Sequence, residues 1–330
     1  MKKTLLTINL LLIFILTLSA CTTNPGAKPV VEPAVETSDP PPTDRPTEVV
    51  VQTTIVATDD LGFELELAAP AQKIISISPS LTEILFSVGA GDRLIGRDSN
   101  SMYPEEALSA KDLGGMWEGI PAEDILALEP DLILAGEIFA EDAINELREL
   151  GLTVYWQKNP DNFEGLYENI LDIAVLTGTE DLAAGVIESL AERVSILDGK
   201  LAAVEDYPLV FYELDASDPA NPYTPGADTF ISFVISRAKG VNLGDTLEGQ
   251  WVQVSSEELL AQNPDVILLA DALYGITAEA VAARAGWGEI KAVIENEIHP
   301  FDPFILSVPG PRLVEGFEQI AELLHPELSD

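Results

Sequence analysis

Two tryptophans and two glutamates recur in this chain at one spacing. The pattern W-x5-E-x2-L-A-x2-P-D-x-I-L covers residues 117–134 and returns, 134 residues on, over 251–268. Trp117 and Glu123 thereby have counterparts in Trp251 and Glu257. Aromatic area and a charged group from each half make binding chemistry, and the pairing suggests two facing walls that grip something. A structural alternative exists, in which each Trp belongs to a core and each Glu sits in the first turn of a helix, where the macrodipole favours a carboxylate. The two residue types repeat in one register, which argues for the walls.

The elements that would position them read alike in both copies. In "WEGIPAEDILALEPDLIL" the E-D-I-L-A-L stretch predicts a short helix, Pro130 ends it, and the apolar run 132–135 predicts a buried strand. "WVQVSSEELLAQNPDVILL" repeats the reading. A helix leading into a near-continuous apolar strand is half of a β-α-β unit, and strands buried on both faces belong to parallel sheets. Two α/β lobes of similar design follow.

The chain opens on "MKKTLLTINLLLIFILTLSAC", two lysines, an apolar stretch and then Leu18-Ser19-Ala20-Cys21, the shape of a bacterial lipoprotein leader. Cys21 is the only cysteine, so no intramolecular disulfide and no all-cysteine metal cluster is available. Cleavage before Cys21 and acylation would anchor the protein to a membrane and leave the rest extracytoplasmic. Residues 22–58 hold seven prolines and no aromatic residue, which reads as an extended tether. "VVVQTTIVAT" and "FELELAA" flank Asp59-Asp60-Leu61-Gly62 and suit a hairpin at the start of the folded part. A net charge of −39 excludes a nucleic-acid partner and a protein lying flat on anionic lipid.

Further along, residues 74–77 predict a strand, and Ser80 with Glu83 three residues later fits a capping box opening a helix that ends at Gly89-Ala90-Gly91. The long loop "DSNSMYPEEALSAKDLGGMW" carries Arg97's neighbours and Tyr103, and such loops commonly hold ligands. Helices are expected over 140–150 and 163–177, with a strand over 152–156. From 180 to 204, Leu182, Val186, Leu190, Val194, Leu197 and Leu201 recur at helical spacing and predict one long helix midway between the two motif copies. The second lobe opens on the strand "PLVFYEL", passes through "DASDPANPYTPGAD" into a helix over 229–238, and closes on "RLVEGFEQIAELL", where Arg312 fits simple capping. The boundaries read as a leader over 1–21, a tether over 22–58, a first lobe over 59–179, the connecting helix over 180–204 and a second lobe over 205–330.

From about residue 60 to the end the chain resembles the substrate-binding proteins of ATP-driven (ABC) importers for cobalamin, ferric siderophores and haem. The segments that carry the resemblance are "KIISISPSLTEILFSVGAGDRLIGR", "PAEDILALEPDLILA", "SSEELLAQNPDVILL" and "GPRLVEGFEQIAELLHP". It implies an α/β fold of two Rossmann-like lobes with central sheets, joined by one long α-helix. It implies that Trp117, Trp251 and Tyr223 contact the ligand in the cleft. It also implies that Glu123 and Glu257, one per lobe, dock on arginines of a permease dimer whose ATPase subunits drive release. Where haem binders supply an axial Tyr or His, this chain has Gly114-Gly115-Met116, its histidines are His299 and His325, and Tyr103 is the nearby tyrosine. Arg97 is placed to meet an anionic iron chelate, or to pair with Asp98 or Glu105 on the surface. Cobalamin or another corrinoid is favoured over a ferric siderophore. The protein is expected to be a monomer with no cofactor and no metal site of its own.

Two other classes compete. An α/β hydrolytic enzyme is disfavoured because the chain has no G-x-S-x-G elbow, P-loop or Cys-His pair and only two histidines. A surface receptor that presents ligand to a sensor would share every feature above.

Overall fold

The structure, a computed structural model, describes residues 54–115 and 119–329. The leader, Cys21, the tether up to residue 53 and Trp117 lie outside the described residues. Strands β1 (Ile55–Thr58) and β2 (Glu64–Leu67) form the expected antiparallel hairpin around the Asp59-to-Gly62 turn. Residues 55–58 are therefore strand, not the end of the tether. Their alternating burial fits a strand with one face on the protein, and the turn is tied down by Asp59, buried against Arg148.

The first lobe follows as β3 (Ile74–Ser76), α1 (Pro79–Ser87), β4 (Leu94–Arg97), β5 (Lys111–Asp112), α2 (Ala122–Leu128), β6 (Leu132–Gly136), α3 (Glu141–Glu149), β7 (Val154–Gln157) and α4 (Phe163–Thr177). Its sheet is parallel throughout, in the order β5-β4-β3-β6-β7. Helix α5 (Glu180–Leu201) connects to the second lobe. There the chain runs β8 (Leu209–Glu213), β9 (Tyr223–Pro225), α6 (Phe230–Arg237), β10 (Val241–Asn242), β11 (Trp251–Gln253), α7 (Ser256–Gln262), β12 (Val266–Leu269), α8 (Ala278–Ala282), α9 (Lys291–Glu295), β13 (Ile298–Pro300), α10 (Pro303–Leu306) and α11 (Leu313–Leu324). A second parallel sheet has the order β10-β8-β12-β13, and β9 with β11 makes a separate antiparallel ribbon. This is the α/β fold of two lobes and one long connecting helix that the sequence implies.

The period-two alternation of strand side chains splits each sheet between two cores. Ile75, Ile133, Ala135, Val154 and Trp156 face α2 and α3, whereas Phe211, Ile267 and Leu269 face α7, α8 and the buried Trp287. The alternate residues, Ile74, Leu132, Leu134 and Tyr155 in one lobe and Val210, Tyr212 and Leu268 in the other, join a single apolar cluster with α1, α4, α5, α6 and α11. That cluster crosses the lobe boundary. Phe163, fully buried at the start of α4, sets its ring 5.2 Å from Phe233 of α6 and 5.3 Å from Phe317 of α11. Helix α5 adds Leu190, Val194 and Leu201 to the cluster, and Arg193 forks onto Glu318 of α11. Leu182, expected in the buried stripe, stays 57% exposed, and Ala183 beside it takes the buried position in that turn of α5.

Glu83 corrects the capping reading. The N-cap of α1 is Ser78, and Glu83 is buried in the helix with its Oε1 accepting from Arg312 Nε at 3.1 Å and Nη2 at 2.5 Å. Arg312 is therefore not a simple cap but the second half of an ion pair between the lobes. Burial pushes the Glu83 carboxyl up to about 7 despite the opposing attraction of Arg312. A carboxyl whose folded value is raised holds its proton more tightly when folded, so this contribution to stability is complete below about pH 4.5 and is lost as pH rises through 7. Glu83→Gln removes that slope while keeping an acceptor for Arg312. In urea denaturation the variant should gain on the wild type between pH 5 and pH 8, by up to about 3 kcal/mol; parallel pH profiles would contradict the assignment.

Candidate ligand-binding cleft

Each parallel sheet reverses its winding once, between β3 and β6 in the first lobe and between β8 and β12 in the second, and ligands of open α/β sheets bind outside the carboxyl ends of such strands. Those ends line one cavity of about 690 Å³. Ser78, Pro79 and Ser80 follow β3, Gly136 to Ile138 end and follow β6, and Lys158 to Asp161 follow β7. From the second lobe come Leu214 after β8, Asp228, Thr229 and Phe230 at the start of α6, Gln250 and Trp251, and Ser307, Val308 and Pro309 before α11. The volume suits a small-molecule ligand.

Trp251 is the large aromatic surface of this cavity among the described residues. It is 46% exposed and rests edge-on against Phe230, with ring centroids 6.0 Å apart. The ribbon that carries it is held by a close backbone approach, with Gly226 N–H donating to the Gln250 carbonyl at 2.7 Å. A Cβ at Gly226 would stand 2.0 Å from the Gly249 carbonyl oxygen, so only glycine fits.

Tyr223 stands opposite Gln253 in the same ribbon, as Trp251 stands opposite Pro225. Paired residues share a face, which puts Tyr223 on the Trp251 side, but it is not part of the cavity lining. Tyr103 lies elsewhere: its ring packs 4.0 Å from the Arg312 guanidinium in a separate pocket of about 100 Å³ beside Glu83, sharing Pro79 and Val308 with the cleft. Arg97 is buried, because the pairing of β4 with β5 brings Asp112 beside it. Its guanidinium sits 3.2 Å from Asp112 and donates to the Asp98 carbonyl at 2.8 Å. It does not line the cleft, nor does it pair with Glu105. Trp117 lies outside the described residues.

The repeated motif divides into structural and available parts. Asp131 accepts the N–H groups of Gln72 and Lys73 just before β3, and Asp265 accepts that of Leu209 at the start of β8, so each fixes the strand next to its own. Glu129 and Asn263 end their helices in the left-handed region, at φ of 50° and 55°. Glu123 and Glu257 each occupy the second position of a short helix, are exposed, and have no ion pair or side-chain hydrogen bond among the described residues. Phe230, Lys158 and the 307–309 segment of the cleft wall escaped the motif reading. Their one signal is position, Lys158 after an apolar strand, Phe230 at the start of a helix and 307–309 between two helices.

Two α/β lobes, one connecting helix and a cleft at the carboxyl ends of both sheets define a solute-binding architecture with no catalytic constellation among the described residues. The chain belongs to the periplasmic binding protein family, whose sequence model matches residues 74–303. An uncharacterised ABC transporter substrate-binding lipoprotein of Bacillus subtilis (strain 168) is 32% identical over 278 residues, 83% of this chain and 86% of that one. The vitamin B12-binding protein of Vibrio cholerae is 29% identical over 77% of this chain and 90% of its own length. The crystal structure of a periplasmic vitamin B12-binding protein of Vibrio cholerae matches with a TM-score of 0.69 at 27% identity, over 79% of this chain and 99% of that one. A periplasmic haem-binding protein of the same organism has a TM-score of 0.68 at 24% identity, over 77% and 98%, which shows the fold alone. These are binding proteins, and the enzyme reading falls.

Gly226→Ala should lower the unfolding free energy by about 1–3 kcal/mol, the usual cost of overpacking, and shift Trp251 emission as the ribbon moves. An unchanged midpoint and spectrum would show that the close approach is not needed.

Proposed function

We propose that this protein captures a corrinoid in the interlobe cleft and delivers it to a membrane permease. The observation that carries the reading is a cavity of about 690 Å³ at the carboxyl ends of both sheets with an exposed Trp251 in its wall. A broad aromatic face suits a large flat ligand, because it offers contact area with little side-chain entropy lost. The vitamin B12-binding relatives support the ligand class. None of the described lining residues is a His, Tyr, Cys or Met, the side chains that hold haem iron, which favours a corrinoid over haem.

Glu123 and Glu257 serve in this reading as docking carboxylates, one per lobe. Their equal helical positions, exposure and freedom from other pairs support it, since an unpaired carboxylate remains available to an arginine of the permease. Trp117, in the same register as Trp251, is the second aromatic wall, and Tyr223 flanks the cleft mouth. Acylation at Cys21 and the proline-rich tether keep the lobes outside the cytoplasm and close to the transporter.

Calorimetric titration with cyanocobalamin tests the ligand, with one-to-one binding expected and affinity lowered roughly tenfold or more, about 1.4 kcal/mol, in Trp251→Ala. Binding only to a ferric chelate would overturn the corrinoid reading. In cells, Glu123→Ala with Glu257→Ala should abolish uptake while the purified variant binds as the wild type does. Weakened binding by that variant would remove the docking role.

A further inference from the structure

Among the described residues four ionisable side chains line the cleft: Glu137, Asp161, Asp228 and Lys158. The one cation among these described lining residues is already engaged, with Lys158 Nζ 3.2 Å from Asp161. Glu137 and Asp228 have no ion pair among the described residues, and although Lys158 also feels the Glu137 charge, three carboxylates against one cation leave the described lining net negative. They come from opposite lobes, Glu137 directly after β6 and Asp228 just before α6. Glu137 accepts the N–H of Asn159 at 3.0 Å, which holds its carboxylate at the cleft wall. Asp228 is exposed, its backbone fixed by Gln250 donating to its carbonyl at 3.1 Å, and its side chain has no partner among the described residues.

Two opposing charges must be weighed. The N-termini of α1 and α6 also reach the cleft, and each carries a partial positive charge of about half a unit that falls off within its first turn. Thr229 already accepts the Ser232 N–H at the start of α6. Two full carboxylate charges outweigh two such partial ones. Both carboxylates are exposed and so are screened by salt, and the field of a chain of net charge −39 adds in the same direction.

We propose that the cleft sorts ligands by charge: it admits neutral or cationic large ligands and turns away anionic ones of the same shape. The inference rests on the reading of this cleft as the ligand site, and it identifies Glu137 and Asp228 as the specificity-determining residues. Anionic ferric tricatecholates and haem, with its two propionates, fall in the excluded class. Intact corrinoids, whose rim carries amides, and amine-bearing ferric trihydroxamates fall in the admitted one.

Matched pairs make the test, titrated into the full chain and into a Glu137→Gln, Asp228→Asn variant. One pair is cyanocobalamin and a derivative with rim amides hydrolysed to carboxylates. The other is an amine-bearing ferric trihydroxamate and its succinylated, anionic form. In whichever pair binds, the anionic member should be at least about tenfold weaker at low salt, and the gap should shrink as salt is raised. The variant should narrow the gap by most of that factor, through tighter binding of the anionic member and weaker binding of a cationic one. Equal or tighter binding of the anionic member, or an unchanged ratio in the variant, would overturn charge sorting while leaving the corrinoid reading intact. Binding and sorting of the hydroxamate pair with no binding of either corrinoid would overturn the corrinoid reading while leaving the inference intact, and silence from all four ligands would overturn both.

Discussion

The apolar cluster that runs through both lobes is the constraint on which the other features depend. Lobes that meet through a small polar interface move freely, whereas a large apolar interface holds them together. Here Phe163 of the first lobe is fully buried against Phe233 and Phe317 of the second, and α5 packs on the same cluster. Separating the lobes would expose aromatic surface at a cost of about 25 cal/mol for each Å². It would also break the ion pair between Glu83 and Arg312. The cleft is therefore largely formed before any ligand arrives, and its walls keep their spacing.

A fixed frame explains why the wall is built from strand ends and helix starts. Parallel strands deliver their carboxyl ends to one side of each lobe, and the two lobes present those sides to each other. The frame is maintained by parts of the repeated motif that touch no ligand, the strand-bracing Asp131 and Asp265 and the left-handed Glu129 and Asn263. With the frame secured by other residues, Trp251 and Glu257 are left exposed, as their proposed roles in recognition require. The acidic wall then follows from which residues the frame happens to expose at the strand ends, and these are loop positions that can vary without disturbing the core.

Features set by local pattern were legible in the sequence. The hairpin around Asp59, the strands of the repeated motif and α5 each follow from periodicity and turn chemistry within one short window. Features set by long-range contact were not. Ser80 and Glu83 match a capping box, yet Glu83 is claimed by Arg312, 229 residues away, and no local pattern encodes that pairing. Arg97 looks like a ligand arginine until the pairing of β5 brings Asp112 to it. Tyr103 sits in the right stretch of chain but is drawn to Arg312 by stacking. The ribbon of β9 and β11, which carries Trp251, joins segments separated by a helix and a further strand, so its register was equally hidden.

The shared core is tested most directly by the distance between the lobes across the cleft. Spin labels at Ala127→Cys on α2 and Ala261→Cys on α7, both exposed positions, placed in a chain carrying Cys21→Ser, report that distance by pulsed electron resonance. The account predicts one narrow distribution in the free protein, shifting by less than about 2 Å when ligand saturates the cleft. A broad or two-peaked distribution without ligand, collapsing to one peak with it, would show that the lobes move as separate bodies and would contradict the account.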